Sequence, residues 1–244
     1  MTGNDLDLHV RSRRLHVRRW GSASAPLLIG VPGLTGTTAS FDFLGAHVGG
    51  ATTQVVAVDL RGRGSSDRTP PGSYGWENHA RDLAAIADEL GFERFSVCGQ
   101  SMGGSVAIKV AELAGDRLDA VILSDVAGRV EPGIGPVVAD VLAQLDESQA
   151  SRAAVDEDRA YTWTQDPYAR WQHLTMPTLL LRATREMRAG AGFVIPAGDV
   201  PAFRRAVPRA TVVEVDADHS TINSHPDTVE AMVAFLAAAR GAAP

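Results

Sequence analysis

The sequence predicts an α/β fold, with a mostly parallel central sheet and helices on both faces. The first observation is a set of short apolar segments typical of buried parallel strands, at residues 26–31, 54–58, 94–98, 120–124, 178–181 and 211–215. The second is a set of helical patterns between them, at residues 76–90, 102–114, 200–207 and 228–239. Strands and helices that alternate in this way favour right-handed crossovers, and hence a parallel sheet.

Two parts of the chain depart from this alternation. The opening segments, residues 6–10 and 14–19, alternate polar and apolar side chains, so we expect them to start the sheet as antiparallel strands. Residues 126–175 contain helical patterns but no strong strand, and they are too long for a simple loop. We therefore predict one core domain, residues 1–125 and 176–244, with residues 126–175 inserted as a small helical cap.

The composition is that of an ordinary folded protein. The chain has 244 residues, of which 45% are hydrophobic and 21% charged, and its formal net charge is −6. This composition excludes a disordered chain, and the negative charge disfavours a nucleic-acid partner, which requires clustered basic residues. The longest apolar runs are about half the roughly 20 residues that a membrane-spanning helix needs. We therefore expect no membrane partner.

The chain offers no pattern for a disulfide, a metal or a phosphate-binding loop. Its one cysteine, Cys98, cannot form an internal disulfide, and the first residues lack the apolar stretch of a secretory signal. Both observations favour a cytoplasmic location. Cysteine and histidine do not cluster at metal-ligand spacing, and the glycine-rich segments are incomplete as phosphate loops. We expect neither a metal nor another cofactor, and we expect Cys98 to pack in the core.

The segment with the clearest chemical meaning is Gly-Gln-Ser-Met-Gly, residues 99–103, which joins a predicted strand to a predicted helix. This pattern is typical of a nucleophile elbow, a sharp turn that presents a serine hydroxyl at the carboxyl end of a strand. Glycines two residues before and two after Ser101 remove side chains that would collide in the turn. The amino terminus of the following helix directs backbone N–H groups towards developing negative charge.

With these features the chain resembles the α/β-hydrolase superfamily over nearly its whole length. Residues 28–36 look like the family's oxyanion loop, with Pro-Gly where His-Gly is more usual. The resemblance implies that the N–H groups of Leu34 and Met102 form the oxyanion hole, with Gly33 beside the substrate. Residues 59–67, Asp-Leu-Arg-Gly-Arg-Gly-Ser-Ser-Asp, are similar to another family segment, which we interpret as a structural turn beneath the site.

A serine hydroxyl needs a base to remove its proton, and histidine is the usual base. His219 follows the last predicted strand, where members of the superfamily carry their catalytic histidine. We assign His225 to the start of the final helix. The other histidines are interpreted as surface or packing residues, namely His9, His16, His47, His79 and His173.

The acid that orients the histidine is left open between two residues. Members of the superfamily place this acid after the seventh strand or after the sixth. Asp125 ends the sixth predicted strand, whereas Glu186 follows the seventh in a segment without the usual glycine and aspartate. We favour Asp125 and keep Glu186 as the alternative, because an aspartate at the end of the sixth strand can also be structural.

Aromatic and arginine side chains are candidates for substrate binding. Trp163 and Trp171 lie in the predicted cap, where they either roof a pocket or hold the insertion together. Arg129 follows the sixth strand, and three further arginines lie near the end of the seventh, namely Arg182, Arg185 and Arg188. We favour solvent exposure for these arginines. The alternative is that they converge on a substrate carboxylate, which a guanidinium group binds well.

The resemblance implies hydrolysis of an ester, lactone or amide bond in a small molecule, with Ser101, His219 and Asp125 forming an acyl-enzyme. The same residues can also serve hydrolysis of a C–C bond in a β-diketone-like metabolite, and the sequence does not separate the two reactions. A ligand-sensing protein on a hydrolase scaffold is the alternative from a different class, because a fold does not fix a function. The sequence predicts no oligomeric state.

Overall fold

One sheet organises the fold. A computed structural model describes residues 2–126, 130–164 and 167–241, apart from the side chains of residues 162–164, 167 and 168. Within these ranges the sheet has eight strands: β1 (Asn4–Val10), β2 (Arg13–Trp20), β3 (Leu27–Val31), β4 (Gln54–Val58), β5 (Phe95–Gln100), β6 (Leu118–Ser124), β7 (Thr178–Ala183) and β8 (Ala210–Val215). Their spatial order is β1-β2-β4-β3-β5-β6-β7-β8.

The strand directions confirm the predicted α/β class. The pairs β1–β2 and β2–β4 are antiparallel, and the remaining pairs of neighbours are parallel. The central strands β3, β4 and β7 are buried at every residue, because helices cover both faces of the sheet. This explains their continuous apolar sequences. The edge strand β1 has alternating burial towards its end, as the period-two pattern predicts.

Helices alternate with the strands. They are α1 (Asp42–Val48), α2 (Trp76–Glu89), α3 (Met102–Ala114), α4 (Ile134–Ala143), α5 (Arg152–Thr164), α6 (Pro167–Arg170), α7 (Val200–Ala206) and α8 (Pro226–Gly241). The predicted patterns at 76–90 and 102–114 agree with α2 and α3 to within one residue. Helix α8 begins two residues before its predicted start, because proline fits the first position of a helix, where no N–H bond is needed.

The core has a layer on each face of the sheet. Ile29 and Val97 face the layer that contains α2 and α3. Their neighbours Leu28 and Cys98 point to the opposite face, against side chains of α1 and α8. This alternation is the period of two that a strand imposes, so both faces of the central strands are apolar.

In the order of the chain, helices α4, α5 and α6 come after β6 and before β7. The backbone just before α5 is joined to the loop after β4: Gly64 N–H donates to the Gln149 carbonyl at 2.7 Å, and Ser151 N–H donates to the Gly62 carbonyl at 2.8 Å. These bonds attach the helical segment to the carboxyl edge of the sheet. Among the residues described, no helix combines the length and apolar character needed to cross a bilayer.

Candidate functional site

Ser101 lies in a strained turn between β5 and α3. Its φ is 53° and its ψ is −126°, a left-handed backbone that residues other than glycine rarely adopt and that is concentrated at functional sites. Its N–H donates to the Ser124 carbonyl at 3.2 Å. The turn requires glycine at position 103, because a Cβ on Gly103 would lie 2.1 Å from the Val31 carbonyl oxygen.

The turn that follows β3 packs against this serine. A Cβ on Gly33 would lie 3.3 Å from the Cβ of Ser101 and 3.9 Å from its Oγ. Gly36 N–H donates to the Gly33 carbonyl at 3.1 Å, which closes the turn. Leu34 follows Gly33 in this turn, and Met102 is the first residue of α3, where an N–H has no acceptor within the helix. Gly33 and Ser101 face each other. The two predicted oxyanion donors, the N–H groups of Leu34 and Met102, therefore belong to the residues that directly follow them in the chain.

The imidazole of His219 lies against the carboxylate of Asp125. Nδ1 of the ring is 2.8 Å from Oδ2 of Asp125. An ionised carboxylate only accepts hydrogen bonds, so a neutral imidazole in this contact carries its proton on Nδ1 and leaves Nε2 able to accept one. The side chain of His219 is 12% exposed and that of Asp125 is 2% exposed. An oriented neutral imidazole is the form in which histidine acts as a general base.

Asp125 is fixed at the end of β6 by strand β7. Its φ of 50° lies in the left-handed region, which aspartate visits more readily than most residues. Its N–H donates to the Leu181 carbonyl at 2.8 Å, and its Oδ1 accepts the N–H of Ala183 at 3.0 Å. Because the N–H and the Oδ1 atom of Asp125 are held in this way, its Oδ2 atom is directed to His219.

The loop that carries His219 follows β8 and is anchored at two points. Nε2 of Gln100 donates to the His219 carbonyl oxygen at 3.1 Å, which ties the loop to the last residue of β5, next to Ser101. Oγ of Ser124 donates to Oδ1 of Asn223 at 2.6 Å in a buried contact, which ties the loop to the end of β6. Both anchors set the position of the imidazole relative to neighbouring strand ends.

Glu186, the alternative acid, has other partners. Its Oε2 accepts the N–H of Gly190 at 2.8 Å and its Oε1 accepts the N–H of Gly192 at 3.1 Å. Glu186 therefore stabilises the loop after β7, while the structure brings His219 to Asp125.

The arginines near the end of β7 are engaged by protein oxygens. Arg182 is buried, and it donates to the Ile195 carbonyl at 2.9 Å and to Glu214 at 3.0 Å. The expectation of solvent exposure is wrong for Arg182, because these acceptors compensate for the lost water. The other two are exposed, as expected, and pair with surface acids: Arg185 with Asp216 at 2.5 Å, and Arg188 with Asp140 at 2.6 Å. Their separate partners give no support to a shared carboxylate site.

Of the remaining candidates for substrate binding, the structure describes the side chain of Trp171, whereas Arg129 and the side chain of Trp163 lie outside the described residues. Trp171 is buried in the main core, with its ring edge-on to Phe203 and the ring centroids 5.2 Å apart. This placement favours the packing interpretation of Trp171 over a pocket roof.

The segment after β4 forms the structural turn that the sequence predicts. Asp59 accepts the N–H of Thr38 at 2.6 Å, which connects this turn to the loop after β3. Arg61 makes a two-pronged contact with Asp82 on α2, at 2.6 and 2.8 Å. The aspartate and the arginine of the motif thus bind different parts of the molecule.

Arg63, the second arginine of this segment, makes a contact that sequence reasoning misses. It donates to the carbonyl oxygen of Leu34 from Nε at 3.2 Å and from Nη2 at 3.0 Å. Nη2 also lies 2.8 Å from Oδ2 of Asp158 on α5, and Nε2 of His79 lies 2.9 Å from the same oxygen. All three ionisable side chains are 0% exposed.

Inside the protein, the positive charge of Arg63 and the negative charge of Asp158 offset each other. Burial by itself raises the pKa of Asp158, but the adjacent His79 and Arg63 outweigh it and hold that pKa below its ordinary value of 3.8. Burial lowers the pKa of Arg63, and the Asp158 carboxylate opposes the change. A guanidinium group stays charged in proteins. Arg63 and Asp158 therefore form a buried ion pair, in which Asp158 Oδ1 also accepts the N–H of Gly75 at 2.8 Å.

Sequence reasoning also misses the two anchors of the histidine loop, Gln100 and Asn223. Gln100 lies inside the elbow motif and Arg63 inside the motif after β4, so position within a motif is the one signal that points to either residue. Asn223 and Asp158 lie in no motif, and only the fold reveals their contacts.

The chain is similar to known proteins over most of its length. The alpha/beta hydrolase fold family matches residues 26–153. N-formylmaleamate deformylase from Pseudomonas putida is 28% identical over 232 residues, covering 83% of this chain and 84% of that protein. The enol-lactonase from Burkholderia xenovorans LB400 has a TM-score of 0.77 and 20% identity, covering 95% of this chain and 100% of that one. E-2-(acetamidomethylene)succinate hydrolase has a TM-score of 0.77 and 22% identity, covering 96% of this chain and 99% of that one.

Proposed function

Because the chain belongs to the α/β hydrolase fold family, we propose that it cleaves an ester, lactone or amide bond of a small molecule through an acyl-enzyme on Ser101. The observation that carries the proposal is the 2.8 Å contact between His219 Nδ1 and Asp125 Oδ2, in a loop tied to the Ser101 turn. A strained serine, an oriented imidazole and a buried carboxylate are the parts that a serine hydrolase combines.

Acylation begins with attack of the Ser101 Oγ on the substrate carbonyl carbon, while Nε2 of His219 takes the hydroxyl proton. The carbonyl oxygen becomes an oxyanion, which the N–H groups of Leu34 and Met102 stabilise. Collapse of the tetrahedral intermediate breaks the bond to the leaving group. The imidazolium returns the proton to the departing alcohol or amine, and Asp125 stabilises the imidazolium while it exists.

Deacylation repeats these steps with water as the nucleophile. His219 removes a proton from the water, and the resulting hydroxide attacks the acyl carbon. The same two N–H groups stabilise the second oxyanion. Ser101 then leaves with the proton held by His219, and a carboxylic acid is released.

In this proposal residues 126–175 act as a cap over the site. The support is the attachment of the helical segment to the loop after β4, through the backbone bonds of Gln149 and Ser151 and through the Asp158 ion pair. The cap narrows access to Ser101, so we expect small substrates.

The similar proteins guide the choice of test compounds. Their names identify a deformylase, an enol-lactonase and a hydrolase of an acetamido compound. A panel of esters, lactones, N-formyl and N-acetyl amides, with and without a carboxylate, therefore covers the bond types in the proposal. A β-diketone belongs in the same panel, because its cleavage would indicate C–C bond hydrolysis.

The deciding experiment is labelling with a fluorophosphonate, which reacts with an activated serine. Intact-mass analysis should show one adduct on the wild type and none on Ser101→Ala, and the panel should contain at least one compound that only the wild type hydrolyses. Absence of the adduct from well-folded wild type, together with no turnover, would reject the proposal in favour of a ligand-sensing role. Equal labelling of Ser101→Ala would also reject Ser101 as the nucleophile.

A further inference from the structure

We propose that Arg63 is a positioning residue that holds the oxyanion turn and couples it to helix α5. The inference rests on the proposed function, in which the N–H of Leu34 stabilises the oxyanion. One fully buried guanidinium group makes two hydrogen bonds to the Leu34 carbonyl and an ion pair with Asp158 on α5. A single side chain therefore connects the turn beside Ser101 with the segment over the site.

The contact falls on the most adjustable part of the turn. Gly33 and Gly36 close the turn with a hydrogen bond of 3.1 Å, so Leu34 occupies its second position. The common types of such turns differ by rotation of the central peptide, which carries the carbonyl of the second residue. Arg63 donates to that carbonyl from two nitrogens, and a two-pronged donor fixes direction as well as distance. Rotation of this peptide would break both bonds.

The turn is therefore held from two sides. Gly33 packs against Ser101 on one side, where an added Cβ would lie 3.3 Å from the Cβ of Ser101. Arg63 holds the Leu34 carbonyl on the other. Catalytic donors must point to the place where the oxyanion forms, and a displacement of about 1 Å can cost roughly 10²-fold in rate. The Leu34 N–H belongs to the peptide before the Leu34 carbonyl, and the two groups are joined at the Leu34 Cα. Loss of the Arg63 contact is therefore expected to act by letting this N–H move, because the guanidinium group itself bonds only to protein atoms in the described contacts.

The backbone of the loop has attachments of its own. Residues 63 and 150 form an isolated antiparallel bridge, and the bonds of Gly62 and Gly64 to the segment before α5 do not involve the Arg63 side chain. A substitution at Arg63 therefore leaves the loop joined to the helical segment, while it releases the Leu34 carbonyl.

Arg61 provides a matched control within the same loop. Its side chain is also buried, is also paired with an aspartate through two bonds, and donates to the Ser73 carbonyl at 2.7 Å. It differs from Arg63 in having no recorded bond to Leu34. A general effect of losing a buried arginine should appear in both variants, whereas an effect on the oxyanion turn should appear only at Arg63.

The test uses full-length Arg63→Lys, Arg61→Lys and Asp158→Asn with p-nitrophenyl acetate and the fluorophosphonate. Lysine keeps the charge but cannot hold two acceptors in the geometry of a guanidinium group. We expect Arg63→Lys to lower kcat at least about tenfold with KM within about threefold, and to slow the labelling by a similar factor. Arg61→Lys should lower Tm and keep kcat within about twofold. Asp158→Asn should lower kcat by a smaller factor than Arg63→Lys, because the bonds from Arg63 to the Leu34 carbonyl remain.

A double variant covers the case in which Arg63→Lys does not fold. Arg63→Met with Asp158→Asn removes both charges together, so that no unpaired ion is buried, and it should show the same loss of kcat at unchanged KM. Near-normal kcat in the folded Arg63 variants, with labelled wild type, would overturn the positioning role and leave the proposed function intact. An equal loss in Arg61→Lys would overturn it too. Wild type that is neither labelled nor active overturns both proposals.

Discussion

Nδ1 of His219 and Oδ2 of Asp125 are 2.8 Å apart, although the two residues are 94 positions apart in the chain. Asp125 ends β6 and His219 follows β8, so the contact reaches across the end of β7, which lies between them in the sheet. Strand β7 supports the contact directly, because the N–H of Ala183 binds the other oxygen of Asp125. The geometry is that of an acid that orients an imidazole.

Asp125→Asn should therefore reduce kcat by at least about 10²-fold. In a serine protease the equivalent change of acid to amide lowers kcat roughly 10⁴-fold, because the imidazole takes the wrong tautomer. Glu186→Gln should stay within about tenfold of wild type, since both oxygens of Glu186 bind backbone N–H groups of its own loop. The measurement is kcat on a substrate from the panel, with circular dichroism to verify folding. A well-folded and active Asp125→Asn, beside an inactive Glu186→Gln, would reverse the assignment.

Gly33→Ala should lower activity without unfolding the protein. The added methyl group would lie 3.3 Å from the Cβ of Ser101, so either the turn or the serine must move by a few tenths of an ångström. Both are parts of the proposed machinery, and misplacement of such parts is costly in rate. We expect kcat to fall about tenfold while Tm changes by only a few degrees.

Gly50→Ala is the control for this substitution. A Cβ on Gly50 meets no atom within 4 Å, so kcat should be unchanged. If Gly33→Ala keeps the kcat and the fluorophosphonate labelling rate of wild type, the close approach of Gly33 to Ser101 has no part in catalysis.

The strands were predictable because the buried ones are continuous apolar runs, and each predicted segment lies within two residues of the observed strand ends. The strand ends also made the candidate site predictable, since the carboxyl ends of parallel strands lie at one edge of the sheet. Ser101 and Asp125 directly follow β5 and β6, and His219 follows β8. The nucleophile-elbow motif therefore indicated Ser101, and the order of the predicted strands indicated Asp125 and His219 at the same edge of the sheet.

The buried arginines were not predictable in the same way. Arginine is mostly exposed in proteins, which is why exposure was expected for Arg182, and the turn assigned to residues 59–67 did not specify a buried partner for Arg63. Each is buried because distant acceptors satisfy it: Asp158 for Arg63, and Glu214 with a backbone carbonyl for Arg182. Such partners depend on how loops and the helical segment meet, which no periodicity in the sequence specifies.

Cys98 should be unreactive in the native protein. It is completely buried in β5, and burial raises the pKa of its thiol to about 12. Because the thiolate is the reactive form, we expect no reaction with an aromatic disulfide reagent at pH 8 until urea unfolds the chain. Cys98→Ala should keep kcat near that of wild type. Rapid labelling of the native thiol would show that β5 opens far more readily than its burial implies.

Asp158 should make the stability of the fold sensitive to acid. Its pKa in the folded protein lies below the ordinary value of 3.8, because His79 and Arg63 outweigh the opposing effect of burial. A group with a lowered pKa in the folded state stabilises the fold above its unfolded pKa, and that contribution disappears as the pH falls through the folded pKa. Asp158→Asn should thus be less stable than wild type by about 3 kcal/mol at pH 7. The difference should shrink as the pH falls below about 4.

Urea unfolding, followed by tryptophan fluorescence between pH 3 and 7, measures this difference in the free energy of unfolding. Asp216→Asn is the control, because the pKa of Asp216 is also lowered, by its bond with Arg185, but the pair is exposed to solvent. Exposed pairs contribute little to stability, so Asp216→Asn should follow wild type throughout the range. A constant difference between wild type and Asp158→Asn down to pH 3 would mean that folding does not lower the pKa of Asp158. A difference that instead grows as the pH falls from 7 towards 4 would mean that Asp158 is protonated in the folded protein. The Arg63 contact would then be a hydrogen bond to a neutral acid, contrary to the buried ion pair inferred from the 2.8 Å separation of Arg63 and Asp158.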